Sequence, residues 1–336
     1  MTEARNSRLD GVKLLLIVLV VVGHCIEPTL YSNVVSGSMY SFIYSFHMPL
    51  FVFLSGYFAK VNSFDEWKAK GFRFFETFLV IMIPQFLFFR SWHVFINPEN
   101  SGWYLMSLAW WYGVLLIVRR ITPKMTGWGG VILSILISVV VFAMPLGVFG
   151  RAFSFNRTFQ MFPFFYGGYL CRINNVKLRL ESKMKYSTLY LFLTAIITIF
   201  LIYFSSRTLH VLEFYNADVW SIGKNSGLTI GILIGIRLFL MLCAIIISFV
   251  IIDRFRIPSS FSRLGSATLV IYVIQGVFAH IIPLIAPRNL YAELGITFLI
   301  ISISILLIKT IDCRYITNPL STLLLNYKRN DNENVK

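Results

Sequence analysis

Ten apolar segments separated by short polar loops constrain this chain more than any other feature of its sequence. Each segment is long enough, or nearly so, to cross a hydrocarbon layer about 30 Å thick as a helix. The 336-residue chain is 57% hydrophobic and 13% charged, with a mean hydropathy of +0.73, which is more apolar surface than one soluble core can bury. We therefore predict an all-α, polytopic membrane helix bundle with about ten transmembrane helices, at residues 13–30, 38–59, 74–95, 103–119, 128–147, 158–171, 186–204, 227–252, 266–286 and 293–310.

The basic residues are distributed according to the side of the membrane on which each loop would lie. If the N-terminus is cytoplasmic, 23 of the 30 lysines and arginines flank inner segment ends and five lie in outer loops. This asymmetry explains the net charge of +15 by membrane orientation, so we expect no nucleic-acid partner. It predicts that both termini are cytoplasmic, with an integral membrane domain at residues 1–315 and a polar cytoplasmic tail at 316–336.

The cysteines indicate neither a disulfide framework nor a zinc site. All four lie within or beside apolar segments, and no two of them have the close spacing of metal ligands. We therefore expect no bound metal.

His24 lies inside the first apolar segment, eleven residues after Lys13. At about 100° and about 1.5 Å per residue, the two side chains share one face of a helix and lie about 16 Å apart. An ionisable group at membrane depth is costly and usually marks a site or a path. Glu27 is an i,i+3 neighbour that would orient the imidazole, and the alternative is that it is a helix-end carboxylate in the headgroup region.

His47 is the second candidate for chemistry inside the bundle. It lies in the outer half of the second segment, at a depth similar to that of His24 on the preceding, antiparallel helix. Pro49 is expected to kink the helix and to open space beside His47. Two imidazoles on adjacent helices would form a proton-handling pair, whereas the alternative is that each is a buried histidine hydrogen-bonded to a neighbour.

A basic cluster follows the second segment and contains Lys68, Lys70 and Arg73. Such charges bind phosphates, and an arginine offers a two-pronged contact. They also satisfy the orientation rule for membrane proteins with no ligand at all, so both interpretations stay open.

Other polar and aromatic residues occur at membrane depth or at segment ends. Arg237 lies in the middle of segment 227–252, where only a partner, a cavity or a bound anion makes it tolerable. Arg157 lies near an outer segment end, from which its side chain can reach the interface. Trp103 and Tyr104 open the fourth segment, where they would anchor the outer interface.

Several motifs together resemble the membrane-bound acyltransferase-3 family. The spacing of Lys13 and His24 fits the Arg/Lys-x10-His element of that family, and the basic pair often found there as Arg-x-x-Arg is present as Lys70-x-x-Arg73. Gln275 stands where the family often has histidine, so the role of this position is open. The other matching motifs are Arg8-Leu9-Asp10-Gly11, Phe46-His47-Met48-Pro49-Leu50-Phe51, Ser55-Gly56-Tyr57, Trp103-Tyr104-Leu105 and Asn156-Arg157-Thr158. The last two of these resemble the fucose/glucose-type O-acetylase branch of the family.

The resemblance implies an enzyme of the bacterial cytoplasmic membrane, surrounded by lipid. It would transfer an acyl group, most often acetyl, from cytoplasmic acetyl-CoA, which is a co-substrate, to a hydroxyl of a glycan or lipid-linked sugar. His24 would be the general base, oriented by Glu27, and His47 would stabilise the oxyanion or position the acceptor. The residues that would bind substrate or acyl-CoA are Lys13, Lys70, Arg73, Arg157, Arg237, Trp103 and Tyr104.

Two other classes of protein stay open. A transporter or flippase for a carboxylate or a lipid-linked sugar would use Arg237, Arg90 and the two histidines as an anion or proton path. A sensory or scaffold protein would need neither histidine.

Overall fold

The computed structural model describes residues 7–98, 101–121, 128–176, 193, 196, 219–258, 261, 264–265, 267–278, 281 and 289–322. Within them the chain is helical and contains no strand, in agreement with the all-α prediction. Four helices are long and apolar enough to cross a membrane, at Arg8–Thr29, Phe64–Phe89, Ile230–Arg254 and Leu290–Thr310. The predicted seventh segment, 186–204, lies outside the described residues except for positions 193 and 196.

Most predicted segments correspond to helices, although several bounds differ by four to ten residues. The helices of the described residues are α1 (Ser7–Ile26), α2 (Val34–Tyr57), α3 (Phe64–Phe89), α4 (His93–Ile96), α5 (Trp103–Ile121), α6 (Trp128–Ala143), α7 (Gly147–Arg151), α8 (Phe155–Ile173), α9 (Val219–Ser226), α10 (Ile230–Arg254), α11 (Thr268–Phe278), α12 (Leu290–Thr310) and α13 (Cys313–Thr317).

The first two helices form an antiparallel hairpin that is packed unusually closely. α1 ends at Ile26 and runs into a 3-10 turn, Glu27–Thr29. α2 then begins behind Asn33, whose side chain accepts hydrogen bonds from the first backbone N–H groups of the helix. Gly23 allows the close approach, because a β-carbon there would lie 2.8 Å from the ring of Tyr44. This contact brings the end of α1 that carries His24 against α2.

α2 also crosses α8 at backbone distance, and this is the most extensive helix contact of the described residues. Gly56 and Gly168 form the crossing. A β-carbon on Gly56 would overlap the carbonyl oxygen of Phe165, and one on Gly168 would overlap that of Phe53. Small residues permit this kind of packing between membrane helices. The crossing fixes α8, and with it Arg157, relative to the hairpin.

α3 begins ten residues before the apolar segment predicted at 74–95. Ser63 caps the helix by accepting a hydrogen bond from the backbone N–H of Glu66 at 3.2 Å, and the Glu66 carboxylate accepts one from the Asn62 N–H at 2.8 Å. The basic residues Lys70 and Arg73 therefore lie on the first turns of a helix, whereas the apolar pattern suggested a loop.

α5 begins inside the bundle, whereas the sequence suggested that it begins at the outer surface. Trp103 and Tyr104 are both buried. The Tyr104 hydroxyl lies 2.6 Å from Oγ of Ser55, near the C-terminal end of α2, and Gly102 packs against Phe78, in the middle of α3. The prediction that Trp103 and Tyr104 anchor the outer interface is therefore wrong, because the chain enters the bundle before the helix starts.

The segment after α12 packs against α3. The buried Glu76 carboxylate accepts hydrogen bonds from the Ser321 backbone N–H, at 2.7 Å, and from its hydroxyl. The Thr77 hydroxyl donates to the Thr317 carbonyl at 2.9 Å. The boundary predicted at residue 316 is therefore not the end of packed structure, which continues to Thr322 because these polar side chains satisfy one another.

The short helix α13 has a polar N-cap outside the membrane-spanning segments. The Asp312 carboxylate accepts hydrogen bonds from the Arg314 guanidinium and from the Arg314 backbone N–H. These contacts hold the pKa of Asp312 below its usual value. The cap fixes the turn between α12 and α13.

Candidate active site

His24 lies in the last turn of α1, where its side chain is 14% exposed. Its Nδ1 atom is 3.6 Å from Oε2 of Glu27, the first residue of the 3-10 turn. That distance permits an electrostatic interaction but is too long for a hydrogen bond. Glu27 is thus beside the imidazole, as the i,i+3 spacing predicted.

His47 lies on the facing side of α2 and is buried. Its Nδ1 is 2.7 Å from the Ile43 carbonyl oxygen. A carbonyl only accepts hydrogen bonds, so Nδ1 carries the proton and Nε2 of a neutral ring is an acceptor. The ring of Tyr44 lies edge-on to His47, with centroids 4.6 Å apart, and His24 is near enough to His47 to interact with it electrostatically. The two histidines lie on adjacent antiparallel helices, and their predicted action as a pair stays a prediction.

Arg157 comes to the same place from α8. The chain turns sharply before this helix, with Phe153 and Ser154 at positive φ values of 50° and 61°, and Arg157 lies in the first turn. The guanidinium stacks over the ring of Trp103, 5.2 Å from its centroid, and its charge reaches the hydroxyl of Tyr44. Burial of this arginine excludes the snorkelling orientation that the sequence suggested.

We call His24, Tyr44, His47 and Arg157 the histidine centre. Trp103 and Tyr104 line it from the first turn of α5. α11 contributes Tyr272, whose ring is 5.7 Å from that of Tyr104 and whose hydroxyl donates to the Ser101 carbonyl. Five helices, α1, α2, α5, α8 and α11, therefore meet here. Tyr44 and Tyr272 were not identified as site residues from the sequence.

A second group of side chains surrounds the C-terminal end of α2 and the loop that follows it. Lys13 lies 3.8 Å from the ring centroid of Phe58 and pairs with Asp10 at 3.2 Å. The other cations donate to backbone carbonyls of the loop. These donors are Lys70 to Lys60, Arg119 to Val61 at 2.6 Å and Arg172 to Tyr57 at 3.3 Å.

We call Lys13, Lys70, Arg119 and Arg172 the basic rim. The carbonyls at the end of a helix carry partial negative charge, which favours cations there. The four side chains also concentrate positive charge at one end of the α1–α2 hairpin, and the histidine centre lies toward the other end. Arg119 and Arg172 were attributed only to membrane orientation from the sequence, because nothing in the chain showed that they converge on one loop.

Arg73 lies apart from these contacts. It is exposed on α3, three residues after Lys70. Lys70 itself is half-buried and lies 5.0 Å from the ring centroid of Tyr112. Of the predicted pair, Lys70 therefore belongs to the basic rim, and Arg73 borders it.

Arg237 is fully buried in α10 and is bound by other protein groups. It donates to Oε1 of Gln160 at 3.0 Å, to the Gln160 carbonyl at 3.2 Å and to Oγ of Ser138 at 2.8 Å. Its guanidinium also stacks over Phe142, 4.9 Å from the ring centroid. We call these four residues the Arg237 junction. This arrangement ties α10 to α6 and α8 and favours a structural role over the predicted substrate contact.

The space beside Pro49 opens away from the histidines. A groove lies between α2, α8 and α10, and it is lined by apolar side chains that include Pro49, Phe53, Phe164 and Phe249. Pro49 is two residues from His47, so the two side chains point to different sides of the helix, about 200° apart. This groove therefore lies on another side of α2 from His47, and the expectation that the proline opens space next to His47 stays a prediction.

Comparison with known proteins gives one informative match. A family model of the acyltransferase-3 type, described as an acyltransferase domain, matches residues 6–309. No curated protein and no solved structure matches the chain. The matched range includes the histidine centre, the basic rim and the Arg237 junction.

Proposed function

The chain belongs to the acyltransferase-3 family, and from this premise we propose that it is a membrane O-acyltransferase that moves an acetyl group from cytoplasmic acetyl-CoA to a sugar hydroxyl. The acceptor is part of a surface polysaccharide, a glycolipid or a lipid-linked precursor in a bacterial cytoplasmic membrane. The observation that carries the proposal is the histidine centre, where a partly exposed imidazole with a carboxylate neighbour lies beside a second imidazole and a buried arginine.

The basic rim supports an acyl-CoA donor. Coenzyme A carries several phosphate charges, and lysine and arginine side chains bind phosphates through charge-assisted hydrogen bonds. The rim lies at the end of the bundle where the N-terminus begins and where the segment after α12 packs. Under the orientation rule, an end so rich in lysine and arginine faces the cytoplasm, where acetyl-CoA is available. Lys13 and Lys70 are the residues that we assign to the phosphates, with Arg73 at the border.

The reaction that we propose is a direct transfer. Nε2 of His24 takes the proton of the acceptor hydroxyl while the oxygen attacks the thioester carbonyl. The tetrahedral intermediate then collapses, the new ester bond remains on the sugar, and the coenzyme A thiolate leaves and receives the proton from His24. Glu27 stabilises the transient positive charge on the imidazole, as an acidic partner does in hydrolase triads.

The geometry supports different roles for the two histidines. Because Nδ1 of His47 donates to a carbonyl, its neutral ring presents Nε2 as an acceptor, which suits a contact to the acceptor hydroxyl. An oxyanion needs donors, and the guanidinium of Arg157 offers them nearby. We therefore assign acceptor positioning to His47 and oxyanion stabilisation to Arg157.

The experiment that tests this function is the O-acetyl content of the surface glycans, measured by NMR before and after mild base. Wild type is compared with a deletion strain and with deletion strains complemented by wild-type, His24→Ala or His93→Ala protein at matched membrane abundance. His93 is an exposed histidine on α4, so it controls for the loss of an imidazole as such. We expect acetylation to be restored by wild type and by His93→Ala, and not by His24→Ala.

An unchanged acetyl content in the deletion strain, with altered glycan export, would contradict the enzyme and favour the transporter. The geometry does not support the transporter on its own, since the guanidinium of Arg237, which was to form its path, is held by Gln160 and Ser138. A requirement for acetyl-CoA is tested separately in purified membranes, by following release of the free thiol.

A further inference from the structure

Gln275 is a buried polar residue to which the proposed reaction gives no role. Its side chain is fully buried in α11. Neither the nitrogen nor the oxygen of its amide has a hydrogen-bond partner among the residues that the structure describes. A buried amide without partners is costly, so a group with both functions left open usually has a partner that the polypeptide does not supply.

The neighbours of α11 show which side of the helix Gln275 occupies. Tyr272 faces α5 through its contact with Tyr104, and Gly276 faces α3 through Ile81 and through the hydrogen bond that its carbonyl accepts from Gln85 at 2.6 Å. On a helix, Gln275 is about 60° from Tyr272 on the side away from Gly276. The other helices against α11 are α1, α12 and α13, so Gln275 lies on a flank of α11 away from α3, among these helices.

Its level in the bundle lies between the basic rim and the histidine centre. Gly265, shortly before α11, packs against the Asp10 carbonyl, so α1 and α11 start at the same end of the bundle. Gln275 is seven residues into the helix from Thr268, which is about 10 Å, whereas His24 is 14 residues from Asp10, which is about 21 Å. A donor whose phosphates lie at the rim and whose thioester lies at His24 has to pass this level.

We propose that the Gln275 amide binds the pantetheine arm of the acyl-CoA donor, an inference that rests on the proposed function. The arm contains secondary amides, each with one N–H and one C=O. A primary amide presents the complementary pair, so two hydrogen bonds form and both open functions of Gln275 are satisfied. A phosphate or a thioester carbonyl offers only acceptors and leaves the amide oxygen unpaired.

Three ligands separate the parts of the donor in a binding experiment on the purified full chain in lipid nanodiscs. Acetyl-CoA carries both the phosphates and the arm, S-acetylpantetheine carries the arm alone, and adenosine 3′,5′-bisphosphate carries phosphates alone. We expect Gln275→Leu to weaken binding of acetyl-CoA and of S-acetylpantetheine about tenfold or more, because two buried hydrogen bonds are lost. Binding of adenosine 3′,5′-bisphosphate should be unchanged.

Lys70→Ala gives the reciprocal pattern, with weaker binding of acetyl-CoA and of the bisphosphate and unchanged binding of S-acetylpantetheine. Gln275→Met keeps an unbranched apolar chain and should behave as Gln275→Leu does, which separates loss of the amide from a change of shape. Neither apolar variant should lower the unfolding temperature, because the amide has no protein partner to lose.

Wild-type affinity of both apolar variants for S-acetylpantetheine would overturn the assignment. An equal loss for all three ligands, with a lower unfolding temperature, would show that Gln275 is structural. An unchanged donor affinity with a raised acceptor KM would move the residue to the acceptor. Failure of the wild-type protein to bind acetyl-CoA or either fragment would instead overturn the proposed donor, so the two failures are distinguishable.

Discussion

The histidine centre and the Arg237 junction are two polar clusters inside the same helix bundle, and they are built differently. In the junction, a fully buried guanidinium donates to Gln160 and Ser138 at hydrogen-bonding distances. In the histidine centre, His24 keeps an exposed fraction of 14%, and the carboxylate of Glu27 lies just beyond hydrogen-bonding distance. One cluster is closed by the protein, and the other keeps a titratable side chain partly exposed.

The two clusters show that charged groups at membrane depth are best distinguished by what compensates their charge. Their cost requires a compensating partner in either case. Where neighbouring helices supply that partner at good geometry, the group holds the helices together. Where the protein leaves such a side chain partly exposed, as it does His24, a ligand can supply part of the compensation. The predictions below test this contrast.

The largest effect is expected for His24→Ala. Removal of a general base lowers kcat by about 10²–10⁴-fold. The free energy of unfolding should change by less than about 1 kcal/mol, since the side chain of His24 is partly exposed and its contact with Glu27 is long. Acetyl transfer by purified protein and thermal unfolding in detergent measure the two quantities.

His93→Ala is the control for this change, and it should leave kcat and stability unaltered. A His24→Ala protein that keeps wild-type kcat would remove the distinction between the two clusters, because the histidine centre would then be as structural as the junction. A His24→Ala protein that fails to fold would do the same.

The next effect is expected for Arg237→Met, and it falls on stability. The substitution leaves Gln160 and Ser138 without their donor, which we expect to cost about 2–4 kcal/mol. The kcat per folded molecule should stay within about threefold of wild type. Arg254→Met is a matched control, since Arg254 is exposed at the end of the same helix and its loss should cost less than about 0.5 kcal/mol. A stable Arg237→Met protein without activity would place Arg237 in the substrate site and break the comparison.

The sequence could predict which polar residues lie inside the bundle, but it could not predict which of them the protein itself hydrogen-bonds. Helical spacing and antiparallel packing were enough to predict that Lys13 and His24 share one helix and that His47 lies on the adjacent antiparallel helix, and the structure has these residues on α1 and α2. Arg237 and the histidines looked equivalent in the sequence, because each is a polar residue inside an apolar segment. The hydrogen-bond partners that distinguish Arg237, which are Gln160 and Ser138, are distant from it in the chain. No pattern of apolar residues carries that information.

Local irregularity explains the other differences. The start of α5 inside the bundle depends on the path of the chain before Trp103, and hydropathy does not report depth. The early start of α3 was available from the sequence, since Ser63 and Glu66 have the spacing of a capping box. Tyr44 and Tyr272 could be recognised as site residues only from the structure. The first is placed by the close contact of α1 and α2 at Gly23, and the second by the contact of α11 with Tyr104 on α5.

A smaller effect is expected for Lys70→Ala, which sharpens the contrast between the histidine centre and the basic rim. Loss of one phosphate contact should raise the KM for acetyl-CoA about fivefold and leave kcat unchanged, because the charge acts on binding and not on the reacting atoms. The effect should decrease as the salt concentration rises.

Lys309→Ala is the matched control for Lys70. Lys309 is exposed at the C-terminal end of α12, so the same charge is removed without a change at the α2 loop. An equal rise in KM for both variants would mean that the donor responds only to the overall charge of this end. A fall in kcat with unchanged KM would instead connect Lys70 to the chemical step.

The smallest effect is expected for Ser55→Ala, and it decides between direct transfer and a covalent intermediate on this hydroxyl. Oγ of Ser55 contacts the Phe51 carbonyl at 2.7 Å and the Tyr104 hydroxyl at 2.6 Å, so it is engaged in packing α2 against α5. We expect a loss of about 1 kcal/mol of stability and a kcat within about threefold of wild type.

Ser41→Ala on the same helix controls for the substitution. It should not lower stability, because Oγ of Ser41 has no hydrogen-bond partner within the described residues. If Ser55 were the nucleophile, its loss would reduce kcat by a factor of a thousand or more, and an acetylated peptide spanning Ser55 would be detected by mass spectrometry after incubation with acetyl-CoA alone. That result would move the chemistry from the histidine centre toward the first turn of α5, and it would make the hydrogen bond to Tyr104 the contact that activates the nucleophile.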